Sequence, residues 1–338
     1  MKNNKLFVIF IMLIIICMFG SAAVFKECSV SMSSGSTLSE ETLSGSSSKT
    51  DPGSESNTES GNEDNNTCSN TSNNTGGSSG SSTESTASET ASEYSGQNGQ
   101  AAQKFAIVIG GASHDRQHYN WFLGSTGMAY KLLKNSGYTD ENIYYLFEGK
   151  NEPDVDYLST MSNFKKAVQD IRSRSGAADT ILLILIGHGG FSGADSYYCL
   201  SDSNLSDIEM AGLFKDIKRD KLIFVFSPCN SGGFVDDLSG NNTVIITSTR
   251  KDETNRAAFI EPFLTAFNGS GDADMDGKVS LAEAFNHASA SVKQQYIDNS
   301  WGILTEHAQL DDNGDKVSNQ TPLPDGGDGK LAGQIFLK

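Results

Sequence analysis

The apolar residues of the chain are concentrated in short, nearly continuous runs that begin at about residue 105. These runs are rich in Ile, Leu, Val and Phe and cover 105–109, 143–147, 180–186, 221–226 and 244–247. Polar residues do not alternate with apolar ones within them, which is typical of strands buried on both faces of a mostly parallel sheet. Stretches with the apolar spacing of helices separate the runs, at 124–135, 162–173, 206–217 and 261–267. The alternation predicts an α/β protein with three layers and a mostly parallel central sheet.

The N-terminal third of the chain has a different pattern. Two early lysines, an apolar run over 6–19 and small residues up to Ala23 predict a secretory signal peptide over 1–23. The same segment is also long enough to be an uncleaved membrane anchor. Residues 24–103 are rich in Ser, Thr, Gly, Asn and Glu and contain too few aliphatic side chains to form a core, so they predict a disordered linker. Residues 104–338 are expected to form one folded domain.

These segments predict an exported protein that is extracellular or held at the cell surface. Any membrane attachment is expected through the N-terminal segment only. The chain of 338 residues has 42 acidic and 25 basic side chains and a formal charge of −17. Because nucleic-acid binding depends on Lys and Arg to neutralise phosphates, this charge argues against a nucleic-acid partner. The five cysteines show no disulfide framework, since most lie in the signal segment or the linker.

A histidine and a cysteine follow two of the predicted strands directly. The run 180–186 continues into Gly187-His188-Gly189, and the run 221–226 continues into Ser227-Pro228-Cys229. If the two strands are neighbours in a parallel sheet, both side chains emerge at one edge, where a thiol nucleophile and an imidazole base can act together. The backbone amides of Gly189 and Cys229 are then candidates for binding an oxyanion. No role is assigned to the remaining histidines, at 114, 118, 287 and 307.

These segments resemble the legumain-like C13 family of cysteine peptidases, which belongs to the caspase–hemoglobinase group, clan CD. The resemblance extends from Lys104 to Phe336 and is carried by FAIVIGGASHDRQHYNWFLGSTGMAYKLLKNSGYTDENIYYLF, LIGHGG and FVFSPCNSGG. It implies a caspase-like fold and endopeptidase activity on protein or peptide substrates, with His188 and Cys229 as the catalytic dyad. Legumains have Glu-Ala where this chain has Ser227-Pro228. The loops 120–124 and 247–256 are expected to shape specificity, and Asp252 and Glu253 are candidates for selecting a basic side chain.

Two alternatives to a hydrolase remain open at this point. A transpeptidase would use the same thioester, because an acyl-enzyme can be opened by an amine as well as by water. An inactive surface module would keep the peptidase fold without its chemistry.

An acidic loop at 272–283 matches the EF-hand calcium pattern D-x-[DN]-x-[DN]-G-x5-E without a mismatch. Three carboxylates, one backbone carbonyl and one bidentate glutamate would supply the oxygen ligands that Ca²⁺ prefers, from Asp272, Asp274, Asp276, Lys278 and Glu283. We expect calcium to stabilise the fold, with a regulatory role as the alternative. A second run, 311–315, starts in a similar way but has Pro322 where the closing glutamate would stand, so it predicts an Asx-rich loop. The run 325–329 carries still less of the pattern.

Overall fold

The computed structural model describes residues 101–149, 151–193 and 195–338. The predicted signal peptide and nearly all of the predicted linker lie outside the described residues. Within these ranges, no helix is long and apolar enough to cross a lipid bilayer.

Two sheets and six α-helices make up the regular structure of the described ranges. The strands are β1 (Lys104–Gly110), β2 (Ile143–Phe147), β3 (Tyr157–Leu158), β4 (Thr180–Ile186), β5 (Gly189–Ser192), β6 (Asp195–Cys199), β7 (Asn204–Ser206), β8 (Lys221–Phe226), β9 (Thr243–Thr247) and β10 (Gln309–Asp311). The α-helices are α1 (Arg116–Asn135), α2 (Met161–Arg174), α3 (Asp207–Phe214), α4 (Val235–Leu238), α5 (Ile260–Thr265) and α6 (Leu281–Asp298). Short 3₁₀ turns lie at Asp140–Asn142, Ser231–Phe234 and Ala332–Gln334, and a π-helical turn, Ala266–Ser270, follows α5.

The central sheet has seven strands in the order β10-β9-β8-β4-β1-β2-β3. Every pair in it is parallel except β9 and β10, which run antiparallel at one edge. The prediction of a mostly parallel central sheet is therefore confirmed. A separate antiparallel sheet, β5-β6-β7, inserts between β4 and α3. The apolar runs did not predict it, because its strands are short and contain Gly, Ser and Asp.

The inner strands β1, β4 and β8 are buried at every position after the first because helices cover both faces of the sheet. Along β1, Ala106 and Val108 pack into one core with α1, α5 and α6, whereas Phe105 and Ile107 pack into a second core with α2, α3 and α4. Successive side chains of a strand point to opposite faces, so one strand serves both cores. The arrangement is the predicted three-layer fold.

Helix α1 begins eight residues before the predicted start at Gly124. The side chain of Asp115 accepts a hydrogen bond from the His118 backbone N–H at 2.8 Å and so forms the N-cap. The extra turns carry His118 and Phe122 past the carboxyl end of β1. They therefore reach the edge of the sheet where β4 and β8 also end.

Candidate active site

The ends of β4 and β8 place His188 and Cys229 on neighbouring strands. Leu185 pairs with Phe226, and the Ser227 N–H continues the ladder by donating to the Leu185 carbonyl at 3.0 Å. His188 lies three positions after Leu185, and Cys229 lies three positions after Phe226. The sheet therefore brings the two predicted residues to the same edge.

Gly189 lies against the backbone of the nucleophile segment. A Cβ at this position would be 2.7 Å from Pro228 Cβ, 2.8 Å from the Cys229 carbonyl oxygen and 2.9 Å from the Tyr197 carbonyl oxygen. Real Cβ atoms do not approach other atoms so closely, so only glycine fits here. The missing side chain lets the backbone at Gly189 pack directly beside Cys229, where an oxyanion donor is needed.

The His188 ring lies in a cluster of aromatic and imidazole rings. It stacks on His114 with the ring centroids 4.4 Å apart, and the centroids of His118 and Phe122 lie 4.8 and 5.1 Å away. Its Nε2 atom is buried and has no hydrogen-bond partner among the described residues. Burial, together with the neighbouring His114 and His118, lowers the pKa of His188 to about 4. The imidazole is therefore neutral at physiological pH.

The structure brings His114 and His118, for which the sequence indicates no role, into contact with His188. Both rings contact His188, and the Nδ1 atom of His118 lies 2.9 Å from Asp115 Oδ2. The spacing of four residues between the two histidines was visible in the sequence. It acquires meaning only once α1 is known to begin at Arg116 rather than near Gly124, because His114 and His118 then flank the start of the helix.

The thiol of Cys229 is held by a residue that sequence reasoning missed. The backbone N–H of Asn255 donates to Cys229 Sγ at 3.3 Å, and Sγ lies 3.6 Å from Asn255 Oδ1. The Asn255 side-chain amide in turn donates to the Ser227 carbonyl and, at 3.1 Å, to Ser248 Oγ. An N–H group directed at sulfur favours its thiolate form. Neither Cys229 nor Cys199 is in a disulfide.

The loop that carries Asn255 is anchored by two buried carboxylates. Glu253, only 6 % exposed, accepts from the backbone N–H groups of Arg250 and His307, and its Oε1 lies 2.5 Å from His307 Nδ1. Burial opposes ionisation, but these donors outweigh it and hold the pKa of Glu253 below its usual value. Because Glu253 is buried and engaged, the expectation that it selects a basic substrate side chain is not supported by its position. Asp252 remains exposed.

Glu306 anchors the other end of the same loop. Its carboxylate is 2 % exposed and accepts hydrogen bonds from the backbone N–H groups of Arg256 at 3.0 Å, Ala258 at 3.3 Å and Phe259 at 3.0 Å. Burial raises the pKa of Glu306 to about 7 in spite of these donors. Glu253 and Glu306 thus tie the loop that contacts Cys229 to the segment before β10.

The acidic loop brings its three aspartates together. Oxygen atoms of Asp272, Asp274 and Asp276 all lie within 4.8 Å of one another. Gly277 has a φ of 84°, and its N–H donates to Asp272 Oδ2 at 3.0 Å, which closes the turn. The donors are all hard oxygens, so the loop fits Ca²⁺.

The two remaining predicted ligands lie at the same loop. Glu283 Oε1 accepts from the Ala273 N–H at 3.0 Å, while Oε2 accepts from the Ser280 N–H at 2.8 Å in a capping box that starts α6. The Lys278 N–H donates to Asp276 Oδ1 at 2.8 Å, and its ammonium group lies over the Phe336 ring.

A parallel α/β sheet with a histidine and a cysteine on adjacent strand ends defines a class of candidate thiol enzymes. The sequence model of the Peptidase C13 family matches residues 156–302, which include His188, Cys229 and the acidic loop. The match covers less than half of the chain and supports a cysteine peptidase-like function. No curated protein sequence matches significantly.

Among solved structures, the fold is similar to that of protein GSU0716 from Geobacter sulfurreducens. The identity is 13 % and the TM-score 0.45, and the alignment covers 66 % of this chain and 96 % of that one. A similarity at this level carries no functional argument.

Proposed function

We propose that the protein is an exported cysteine endopeptidase of the C13 family, with His188 and Cys229 as its catalytic dyad. The observation that carries the proposal is the placement of both residues on adjacent strand ends, with the Asn255 N–H directed at the Cys229 sulfur. The C13 match over the same segment supports it independently.

The geometry suggests how the reaction proceeds. Cys229 Sγ attacks the carbonyl carbon of the scissile peptide bond, and the thiol proton passes to His188. The tetrahedral oxyanion accepts from the Gly189 and Cys229 N–H groups. His188 then gives its proton to the departing amine as the C–N bond breaks, which leaves a thioester. Water opens the thioester, its proton passes through His188 back to Cys229 Sγ, and the carboxylic acid product is released.

The low pKa of His188 determines the resting state of the imidazole. With a pKa of about 4, the imidazole is neutral before substrate arrives and can accept a proton. Proton transfer then accompanies the attack. Since Nε2 is buried, Nδ1 is the nitrogen that exchanges protons with the substrate.

The N-terminal segment supports export, and the linker would hold the enzyme away from a membrane if the segment is kept as an anchor. The substrate is then an extracellular protein or peptide.

Calcium binding at the 272–283 loop is part of this proposal, with a structural role. The clustered oxygens of Asp272, Asp274 and Asp276 support it. Because a ligand that binds only the folded state stabilises that state, chelation should lower the melting temperature of the wild type. If metal-free protein prepared by chelation melts at the same temperature as the untreated wild type, the structural role is contradicted.

The dyad is tested with a fluorescent peptidyl acyloxymethyl ketone, which alkylates an activated thiol. The wild type and Cys199→Ser should be labelled equally, whereas Cys229→Ser should not be labelled and His188→Ala should react much more slowly. Cys199→Ser is the matched control, since Cys199 is also a partly buried thiol. If the folded, reduced wild type is not labelled, the inactive-module alternative is correct.

A second arm separates hydrolysis from transpeptidation. A cleavable peptide is incubated with an excess of an acceptor peptide that has a free amino terminus, and the products are identified by mass spectrometry. Free carboxylic acid as the dominant product supports a peptidase, and a ligated peptide as the dominant product supports a transpeptidase.

A further inference from the structure

Two acidic runs that are separate in the sequence meet in the structure beyond β10. The Asp312 N–H donates to Asp328 Oδ1 at 3.1 Å, and the Asn319 side chain donates to Asp328 Oδ2 at 2.6 Å. Asp311, Asp312 and Asp328 are 1 %, 6 % and 4 % exposed. The runs 311–315 and 325–329 therefore meet at a cluster of three buried carboxylates.

The first of these runs has the same local hydrogen bonds as the predicted calcium loop. The Asp315 N–H donates to Asn313 Oδ1 and the Val317 N–H donates to Asp315 Oδ1, both at 2.8 Å. The corresponding bonds in the 272–283 loop connect the same relative positions, at 3.1 and 2.8 Å. The run 311–317 therefore has the backbone arrangement of the first half of an EF-hand-like loop.

Asp311, at the first position of this half-loop, has a carboxylate oxygen that accepts no hydrogen bond from the described residues. Its Oδ1 atom is buried without a hydrogen-bond partner in the described part of the chain. No Lys, Arg or His of the described residues forms an ion pair with Asp311, Asp315 or Asp328. Burial, with Asp328 and Asp315 nearby, raises the pKa of Asp311. Buried carboxylates without a positive partner are costly, and a bound cation would offset that cost.

The structure also supplies the acid that the run itself lacks. Pro322 occupies the twelfth position, where an EF-hand has its closing glutamate. Asp328 comes from the following loop and lies close enough to Asp311 and Asp312 for their charges to interact. An acid from outside the usual spacing thus stands beside the half-loop.

We propose that Asp311, Asn313, Asp315 and Asp328 form a second site for a divalent cation with oxygen ligands, of which Ca²⁺ is the best fit. In the described residues, only Asp272, Asp274 and Asp276 bring three carboxylate oxygens within 4.8 Å of one another. The carboxylate oxygens of the second site are farther apart than this in the structure. Ion binding there would draw the oxygens of Asp315 and Asp328 towards Asp311. Asp311 is the last residue of β10 and pairs with Ile245 of β9, so the ion would fasten the C-terminal segment to the edge of the central sheet.

Calorimetric titration of the metal-free full chain with Ca²⁺ tests the proposal. We expect the wild type to bind one more ion than either Asp276→Asn, which disables the first loop, or Asp328→Asn, which disables the second. The double variant should bind none. Asp325→Asn is the matched control, because Asp325 is exposed in the same loop as Asp328 and should leave the stoichiometry of the wild type unchanged.

The outcomes separate this site from the first one. The proposal is overturned if Asp276→Asn binds no Ca²⁺. It is also overturned if Asp328→Asn binds as many ions as the wild type. Binding that survives in Asp276→Asn but disappears in Asp328→Asn supports the second site, even if the first loop proves empty. If Asp328→Asn does not fold, the melting temperature of Asp276→Asn decides the question, since it should still rise with added Ca²⁺ if the second site exists. None of these results depends on peptidase activity.

Discussion

Replacement of Gly189 by alanine tests the proposed oxyanion site with a single methyl group. The added Cβ would lie 2.7 Å from Pro228 Cβ, 2.8 Å from the Cys229 carbonyl oxygen and 2.9 Å from the Tyr197 carbonyl oxygen, whereas ordinary contacts are 3.4–4 Å. The three atoms belong to backbone or to a proline ring, so none of them can rotate away. The segment must therefore move by at least half an ångström or so, away from Cys229.

Two magnitudes follow from this displacement. Overpacking of this kind costs about 1–3 kcal/mol of stability, so the variant should still fold if the wild type is of ordinary stability. A catalytic group displaced by up to about 1 Å loses as much as about 10²-fold in rate. We therefore expect Gly189→Ala to lower kcat/KM for a cleavable peptide by about one to two orders of magnitude.

A second assay separates loss of the oxyanion donor from loss of the nucleophile. Alkylation of Cys229 by iodoacetamide involves no oxyanion, so its rate should change only slightly in Gly189→Ala. Gly212→Ala is the control, because Gly212 lies in α3 with nothing within 4 Å of an added Cβ. It should stabilise the helix by up to about 1 kcal/mol and leave kcat/KM unchanged. Wild-type kcat/KM in folded Gly189→Ala would refute the reasoning.

Three further predictions concern the residues around the dyad. Since His188 must be neutral to accept the thiol proton, the acid limb of kcat/KM should have its midpoint near pH 4, and a midpoint near 6.5 would show that burial does not perturb the ring. Asn255→Asp keeps the backbone N–H at the sulfur but puts a negative charge at the side-chain position 3.6 Å from Sγ, so alkylation of Cys229 at neutral pH should slow by about tenfold, and an unchanged rate would count against this placement of the side chain. Glu306→Ala leaves the backbone N–H groups of Arg256, Ala258 and Phe259 without an acceptor, the last two of them buried, and should cost about 2–4 kcal/mol in urea unfolding, whereas a cost below about 0.5 kcal/mol would show that the carboxylate is not an anchor.

Five strands of the central sheet, β1, β2, β4, β8 and β9, could be predicted from the sequence because strands buried on both faces need apolar residues at nearly every position. The same runs end at His188 and Cys229, so the candidate dyad was visible before the fold was known. Asn255 was not, because it reaches Cys229 from 26 positions away, through a polar loop without periodicity. Glu306 is equally hidden, since its hydrogen bonds cross 47 to 50 positions. A pattern in the sequence identifies residues by their neighbours along the chain, and these residues act through neighbours in space.

The match to the C13 family model ends at residue 302, but residues beyond that limit also support the surroundings of Cys229. Glu306 and His307 lie just beyond that limit and hold both ends of the loop that places Asn255 at the sulfur. They are positioned in turn by β10, whose pairing with β9 ends at Asp311. An ion bound at Asp311 would therefore stabilise the strand that supports these anchors, without touching the dyad. On this argument an ion at Asp311 and the buried glutamates would serve one purpose, which is to keep the C-terminal segment packed against the loop that faces the nucleophile.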